Sequence, residues 1–290
     1  QPEYEPIARA GEPFLDDFGC LWKTAVDGLT GTVVGHPLED WGAFAGWEPP
    51  DPGKCMGIGP IDWALEKAAY GARRAGGALL EGGLRHGHTF LQLCDLRGYQ
   101  NLLYDFSDGE PNIWRLVEMV KQFNLAIVRR YLDIGVDVMS YPDDLGMQSG
   151  PMLSPSHFRA YIQPSYRELI GAARERGVLA HMHSDGDIRA LAGDIAACGV
   201  DIINLQDMVN GIDFAAAEFG GKTCVELDID RQSVTVFGTP QDIDRHVREA
   251  TRAIGSKQGG LMLIYGMYPG TPLANAGALM DAMERYAPLH

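Results

Sequence analysis

His181-Met182-His183-Ser184-Asp185-Gly186-Asp187-Ile188 sets two imidazoles and two carboxylates where a short apolar run gives way to a helical pattern. The preceding Gly177-Val178-Leu179-Ala180 reads as a buried strand, and Ile188 to Cys198, followed by Gly199, reads as a helix with a glycine stop. Parallel α/β barrels keep their chemistry at such strand-to-helix junctions. His183 and Asp185 stand two apart, so on extended backbone their side chains, with that of His181, point to one side. That parity suits a bidentate metal site or an acid–base pair; the structural alternative is a core histidine followed by a helix cap.

The same alternation recurs on both sides of this junction. Strands are expected at Gly77 to Gly82, Val136 to Ser140, Val178 to His183, Asp201 to Leu205, Thr223 to Leu227 and Leu261 to Gly266, with helices between almost all of them. Pro155 to Arg176 reads as a helix capped by Ser154, stopped by Gly177 and bent at Pro164. Pro240 to Ile254 has Thr239 as cap, Asp242 three residues on and Gly255 closing. The pattern predicts an α/β fold, a (β/α)8 TIM-type barrel over residues 61–290. Residues 1–60, rich in Pro, Gly and aromatics, are expected to form an irregular N-terminal segment covering it, with a hairpin at most. Neither the glycine fingerprint of dinucleotide-binding folds nor a P-loop occurs.

Composition narrows the function classes. Twenty-four Lys and Arg against 39 Asp and Glu leave a net charge of -15, which argues against nucleic acid or an anionic membrane as partner. No run approaches a membrane span and no signal-peptide pattern opens the chain, so a cytoplasmic protein is expected. The chain begins at Gln1, which leaves upstream sequence open. Five scattered cysteines with no CxxC pair fit neither a disulfide framework nor a structural zinc knot.

Polar residues just after the expected strands would converge on one barrel rim: Tyr141, Asp143 and Asp144; His183 and Asp185; Gln206 and Asp207; Glu226 and Asp228; Tyr265 and Tyr268. His86 and His88 follow another strand and read equally well as rim or loop residues. Paired acids such as Asp143 and Asp144 can raise one another's pKa and so supply a proton near neutrality, or they solvate a turn. We expect catalytic roles for Asp143, Asp144, His183, Asp185 and Tyr265. Tyr141, Gln148, His181, Gln206, Met267 and Tyr268 are expected to line the substrate pocket, with Met147 beside them.

Asp143-Asp144-Leu145-Gly146-Met147-Gln148, the Ser154-Pro155 helix start, the His183-Ser184-Asp185-Gly186-Asp187-Ile188 turn, Gly238-Thr239-Pro240 and Pro269-Gly270-Thr271-Pro272-Leu273-Ala274-Asn275 together resemble the uroporphyrinogen decarboxylase superfamily. The resemblance runs in order over roughly residues 90 to 286. It implies a (β/α)8 barrel, and within the superfamily it is closest to the cobalamin-dependent methyltransferases. Members of that branch that activate thiols show His-x-Cys-Gly at this turn and a later cysteine, together binding zinc. Here His183 matches, whereas Asp185 and Tyr265 stand at the thiolate positions.

His183, Asp185 and Glu226 are accordingly expected to hold zinc or another divalent ion with mixed N/O ligands. Such a site suits removal of a methyl group from oxygen, where the leaving oxygen needs neutralising. The expected function is a corrinoid-dependent O-demethylating methyltransferase acting on a small-molecule methyl donor. A separate corrinoid protein would bring the cobalt, because Asp-x-His-x-x-Gly is absent, and a homodimer is allowed. The alternatives are a uroporphyrinogen-type decarboxylase, a thiol-directed methyltransferase, and a non-catalytic barrel that binds a corrinoid or tetrapyrrole.

Overall fold

The structure, a computed structural model, describes residues 3–267 and 270–286. The chain divides into two compact units. One holds the described residues up to Asp143 with Ser156–Val178, the other Asp144–Pro155 with the described residues from Leu179 on.

The first unit opens with an antiparallel sheet of β1 (Phe14–Leu15), β2 (Leu21–Lys23) and β3 (Thr32–Gly35). Asp16 folds it: its carboxylate accepts from the Phe18 and Cys20 amides and from the Trp22 indole. Helix α1 (Trp63–Ala75), capped by Asp62, leads to β4 (Glu81–Gly83). Then come α2 (Phe90–Arg97), α3 (Tyr99–Asp108), α4 (Pro111–Ile134) and β5 (Val138–Pro142), which lies parallel to β4. The helix expected from Pro155 to Arg176 forms in pieces, α5 (Pro155–His157), a π turn at Phe158–Ile162 and α6 (Gln163–Arg174). Pro164 has no N–H to give the preceding turn, so the expected bend takes the form of a π-bulge.

In the second unit a hairpin of β6 (Gly146–Met147) and β7 (Gly150–Pro151) accompanies four parallel strands. These are β8 (Leu179–Ser184), β9 (Ile202–Gln206), β10 (Cys224–Asp228) and β11 (Leu261–Ile264), neighbours in that order. Between and after them run α7 (Ala192–Ala196), α8 (Asp207–Asn210), α9 (Ile212–Phe219), α10 (Val234–Phe237), α11 (Pro240–Ile254) and α12 (Leu273–Tyr286). The capping box of Thr239 and Asp242 on α11 is present. This alternation of parallel strand and helix is the expected α/β class. Strands β8, β9 and β10 each end one residue later than their apolar runs, because Ser184, Gln206 and Asp228 still pair in the ladder.

Alternation along these strands creates two unlike faces. Ala180, Met182, Ile203, Leu205, Val225 and Leu227 are fully buried on one. The other carries His181 and His183, Asn204 and Gln206, and Glu226 and Asp228, with His183, Asn204 and Glu226 in one register row. That polar row is what the fold contributes to function. Among the described residues no helix is long and apolar enough to cross a membrane.

Candidate active site

The turn after β8 is clamped by the β6 segment. Leu145 N–H donates to Ser184 Oγ at 2.9 Å, Asp185 N–H to Asp144 Oδ1 at 2.9 Å and Asp187 N–H to the Met147 carbonyl at 2.7 Å. Gly186 has φ +80°, and a Cβ there would lie 2.2 Å from the Gly146 carbonyl. Only glycine permits both the conformation and the approach. Asp144-Leu145-Gly146-Met147 and Ser184-Asp185-Gly186-Asp187 are therefore one interlocked unit. Asn210 completes it, donating to the Gly186 carbonyl at 3.0 Å and accepting from Ile188 N–H at 3.1 Å. With the Ile188 amide drawn outward, the helix expected from Ile188 begins only at Ala192.

His183 is the centre of this turn. Its Nδ1 meets Asn204 Oδ1, while Asn204 Nδ2 donates to the Glu226 carbonyl at 3.0 Å. The amide is thereby oriented with oxygen toward the ring, so Nδ1 keeps its proton in either charge state and Nε2 is the nitrogen that gains or loses one. Nε2 lies 3.5 Å from Asp144 Oδ1 and 3.8 Å from Asp185 Oδ1. Burial opposes charge on this ring. Hydrogen bonds to Asp144 and Asn204, with the charges of Asp144 and Asp185, overcome it and raise the pKa to about 9.

The same geometry offers zinc an N/O pair rather than a closed set of three ligands. Tetrahedral bonds of about 2 Å space ligand atoms by roughly 3.4 Å. Each carboxylate is close to that distance from Nε2, but the ligand atoms of His183, Asp144 and Asp185 do not all lie within 4.8 Å of one another. A borderline metal accepts N and O donors, and the Asn204 contact at Nδ1 is the outer support such a ligand needs. Arg231 bounds the site, its Nη2 3.4 Å from Asp185 Oδ1 and 3.0 Å from Asp228 Oδ2. Burial pushes Asp228 up to about 6, Arg231 countering and Asp185 adding to the rise.

Of the residues expected from sequence, the structure joins Asp144, His183 and Asp185. Glu226 lies in the register row but its carboxylate pairs with His181, Nε2 to Oε2 2.9 Å, so Asp144 replaces it beside His183. Asp143 is a helix cap: it is fully buried and accepts from the Phe90 and Leu91 amides and the Tyr166 hydroxyl. Those contacts account for an acid at this position by its capping role. Tyr141 is buried with its hydroxyl donating to the Leu169 carbonyl. Gln206 Oε1 accepts from Gly186 N–H and supports the turn.

The Tyr265 hydroxyl bonds Thr235 and Thr271 at 3.1 and 3.2 Å. Gln148 is exposed in the β6–β7 turn, as are Met147 and Met267, and Tyr268 lies outside the described residues. His86 is exposed and His88 is buried in the first unit. Asn204, Asn210 and Arg231 were not anticipated. Parity marked Asn204, two before Gln206; nothing in the sequence distinguished Arg231 from a surface arginine.

No curated protein matches the chain. Among solved structures it is similar to a methyltransferase from Methanosarcina mazei, with 17% identity, 93% of this chain and 77% of that one covered, and a TM-score of 0.65. A glycoside hydrolase family 10 xylanase from Gloeophyllum trabeum matches with 13% identity over 77% of this chain and 80% of its own, at a TM-score of 0.47. The first likeness shows a shared fold, in line with the barrel class expected from the sequence. Residues 87–286, more than half of the chain, match the family described as "Uroporphyrinogen decarboxylase (URO-D)", and they contain the His183 turn, its β6 clamp and the Asn204 support. The chain belongs to the uroporphyrinogen decarboxylase family.

Proposed function

We propose that the chain is a corrinoid-dependent methyltransferase that takes the methyl group from a methoxylated small molecule and passes it to the cobalt of a separate corrinoid protein. The O–CH3 bond breaks with its electron pair left on oxygen, which takes up a proton, and a cobalt(I) centre on the partner would supply the electron pair for the new bond to the methyl carbon. What the reaction needs from this chain is a centre that neutralises the oxygen as charge develops on it.

The observation that carries the reading is His183 Nε2, oriented through Asn204 and flanked by Asp144 and Asp185. His183 Nε2 with the Asp144 or Asp185 carboxylate would give zinc an N and an O ligand, and zinc would supply a Lewis acid to that oxygen. The chain's own residues orient the imidazole, and Arg231 holds the Asp185 carboxylate. Family membership and the likeness to a protein named a methyltransferase support the reaction type. Oxygen rather than sulfur is favoured because Asp185 and Tyr265 stand at the two thiolate positions that the family resemblance identified. The thiol of Cys224 is held up by burial and by the Glu226 charge. A corrinoid protein as docking partner, a homodimer and a cytoplasmic setting belong to the same reading.

The test combines elemental analysis with methyl transfer from 2-methoxyphenol to reduced cobalamin, followed by its absorbance. Near-stoichiometric zinc, lost in His183→Ala and Asp185→Ala together with at least about a hundredfold of the rate, is expected. Absence of transfer from any methyl ether, with decarboxylation of an acetate-bearing tetrapyrrole instead, would replace this function with the family's decarboxylase chemistry.

A further inference from the structure

The polar face of β8, β9 and β10 carries a second histidine–acid pair besides the His183 centre. His181 Nε2 meets Glu226 Oε2 at 2.9 Å, and the two side chains are 14% and 15% exposed. Register puts Ile202 and Cys224 in the row of His181, and Asn204, Glu226 and Met262 in the row of His183. Register neighbours share a face, so Met262 and Ile264 of β11 continue this one beside Glu226 and Asp228. They are 44% and 43% exposed, which leaves the face open to solvent next to Glu226.

His181 holds one oxygen of the Glu226 carboxylate. Among the described residues the other, Oε1, takes no hydrogen bond, and it is not one of the buried unsatisfied atoms. It is an acceptor offered to the open face. Ile202 and Cys224 in the row before it and Met262 beside it make the surroundings apolar, which suits a neutral O–H donor better than an ammonium. Glu226 reaches back to His181, two residues before His183, whereas His183 Nε2 reaches toward Asp144 and Asp185 in the clamped turn after β8. Two residues of strand span about 7 Å, which sets the scale of the gap between this acceptor and a methoxyl at the His183 centre.

We infer that Glu226, set in place by His181, determines specificity by accepting the hydroxyl of a methoxylated phenol whose hydroxyl lies across the ring from its methoxyl. A hydroxyl on the adjacent ring carbon stays too close to the methoxyl to reach Glu226 while the methoxyl is at His183. The exposed Met262 gives the ring an apolar surface to lie on. The methoxyl end rests on the methyl-transfer reading, while the acceptor rests on the pair and the open face. His181 acts through Glu226, as a positioning residue: it fixes one carboxylate oxygen and so the direction of the other.

The test is calorimetric binding of 4-methoxyphenol, 2-methoxyphenol and 1,4-dimethoxybenzene, which carry the hydroxyl across the ring, next to the methoxyl and not at all. The first is expected to bind at least about tenfold tighter than the other two, the usual worth of a hydrogen bond to a charged group. Glu226→Met should bring the three together. His181→Leu frees the carboxylate to turn and should shrink the ratio between the two isomers, which a general loosening of the face would not change. Equal affinities in the wild type, tighter binding of 2-methoxyphenol, binding of none of the three, or the full preference in either variant would overturn the assignment. If neither variant folds, the wild-type series decides alone. A preference for 4-methoxyphenol without methyl transfer to reduced cobalamin retires the proposed reaction and keeps the acceptor; transfer with no isomer preference does the reverse.

Discussion

His183 holds its proton more tightly than a free histidine, with a pKa raised to about 9 against about 6.5 for an unfolded chain. A raised value means that the folded state binds the proton better. The stability it contributes is complete below pH about 6.5 and disappears as pH climbs through about 9. In metal-free protein this amounts to something on the order of 3 kcal/mol. Urea unfolding at pH 6.5 and 9.5 should show the loss, and His183→Gln should remove that part of the slope. Zinc would compete with the same proton, so its affinity should climb with pH over the same window. Asn204 sets which nitrogen faces the metal; Asn204→Ala should weaken zinc binding 10- to 100-fold in a chelator competition, the range seen when outer partners of ligands are lost. The importance of His183 and Asp185 was legible from their spacing, since alternation along a strand is local. The duty of Asp143 was not, because the amides it caps lie 53 and 52 residues away in sequence.

Between elements, the β6 clamp on the β8 turn depends on two glycine backbones in contact. Gly186→Ala should destabilise by roughly 2–4 kcal/mol, since it combines a left-handed φ with a clash against backbone that has nowhere to move. Denaturant unfolding with unchanged m-value would confirm it. A second tie runs from α11 to the start of α8 through His246 and the buried Asp207. His246→Ala leaves that carboxylate unpaired and should cost about 3 kcal/mol. The pKa of His246 is raised chiefly by its hydrogen bond to Asp207, so this tie also weakens as pH rises past the ordinary histidine range. Helix α11 was readable from its capping box, a signal contained within four residues. The late start of α7 was hidden, because Asn210, 22 residues along, takes the Ile188 amide.

For the whole chain, a net charge of -15 and a pI near 4.9 set colloidal behaviour more than fold. The protein should bind an anion exchanger and pass through heparin at pH 7, and it should self-associate near pH 4.9, where its charge vanishes. Light scattering from pH 4 to 8 checks this. The same negative balance favours a small neutral substrate over a polyanion, in keeping with a site whose cations are each already paired with acids.

Strand and helix alternation, the capped ends of α11, the family and the prominence of the His183 turn all follow from the amino-acid order, because periodicity, caps and motifs are short-range properties. Which acid stands beside His183 did not. Glu226 was expected there and shares the register row of His183, but its carboxylate turns to His181, and the glycine contact carries Asp144 to the turn. Partner choice among like side chains depends on distances between segments far apart in the chain, and only tertiary packing sets those distances.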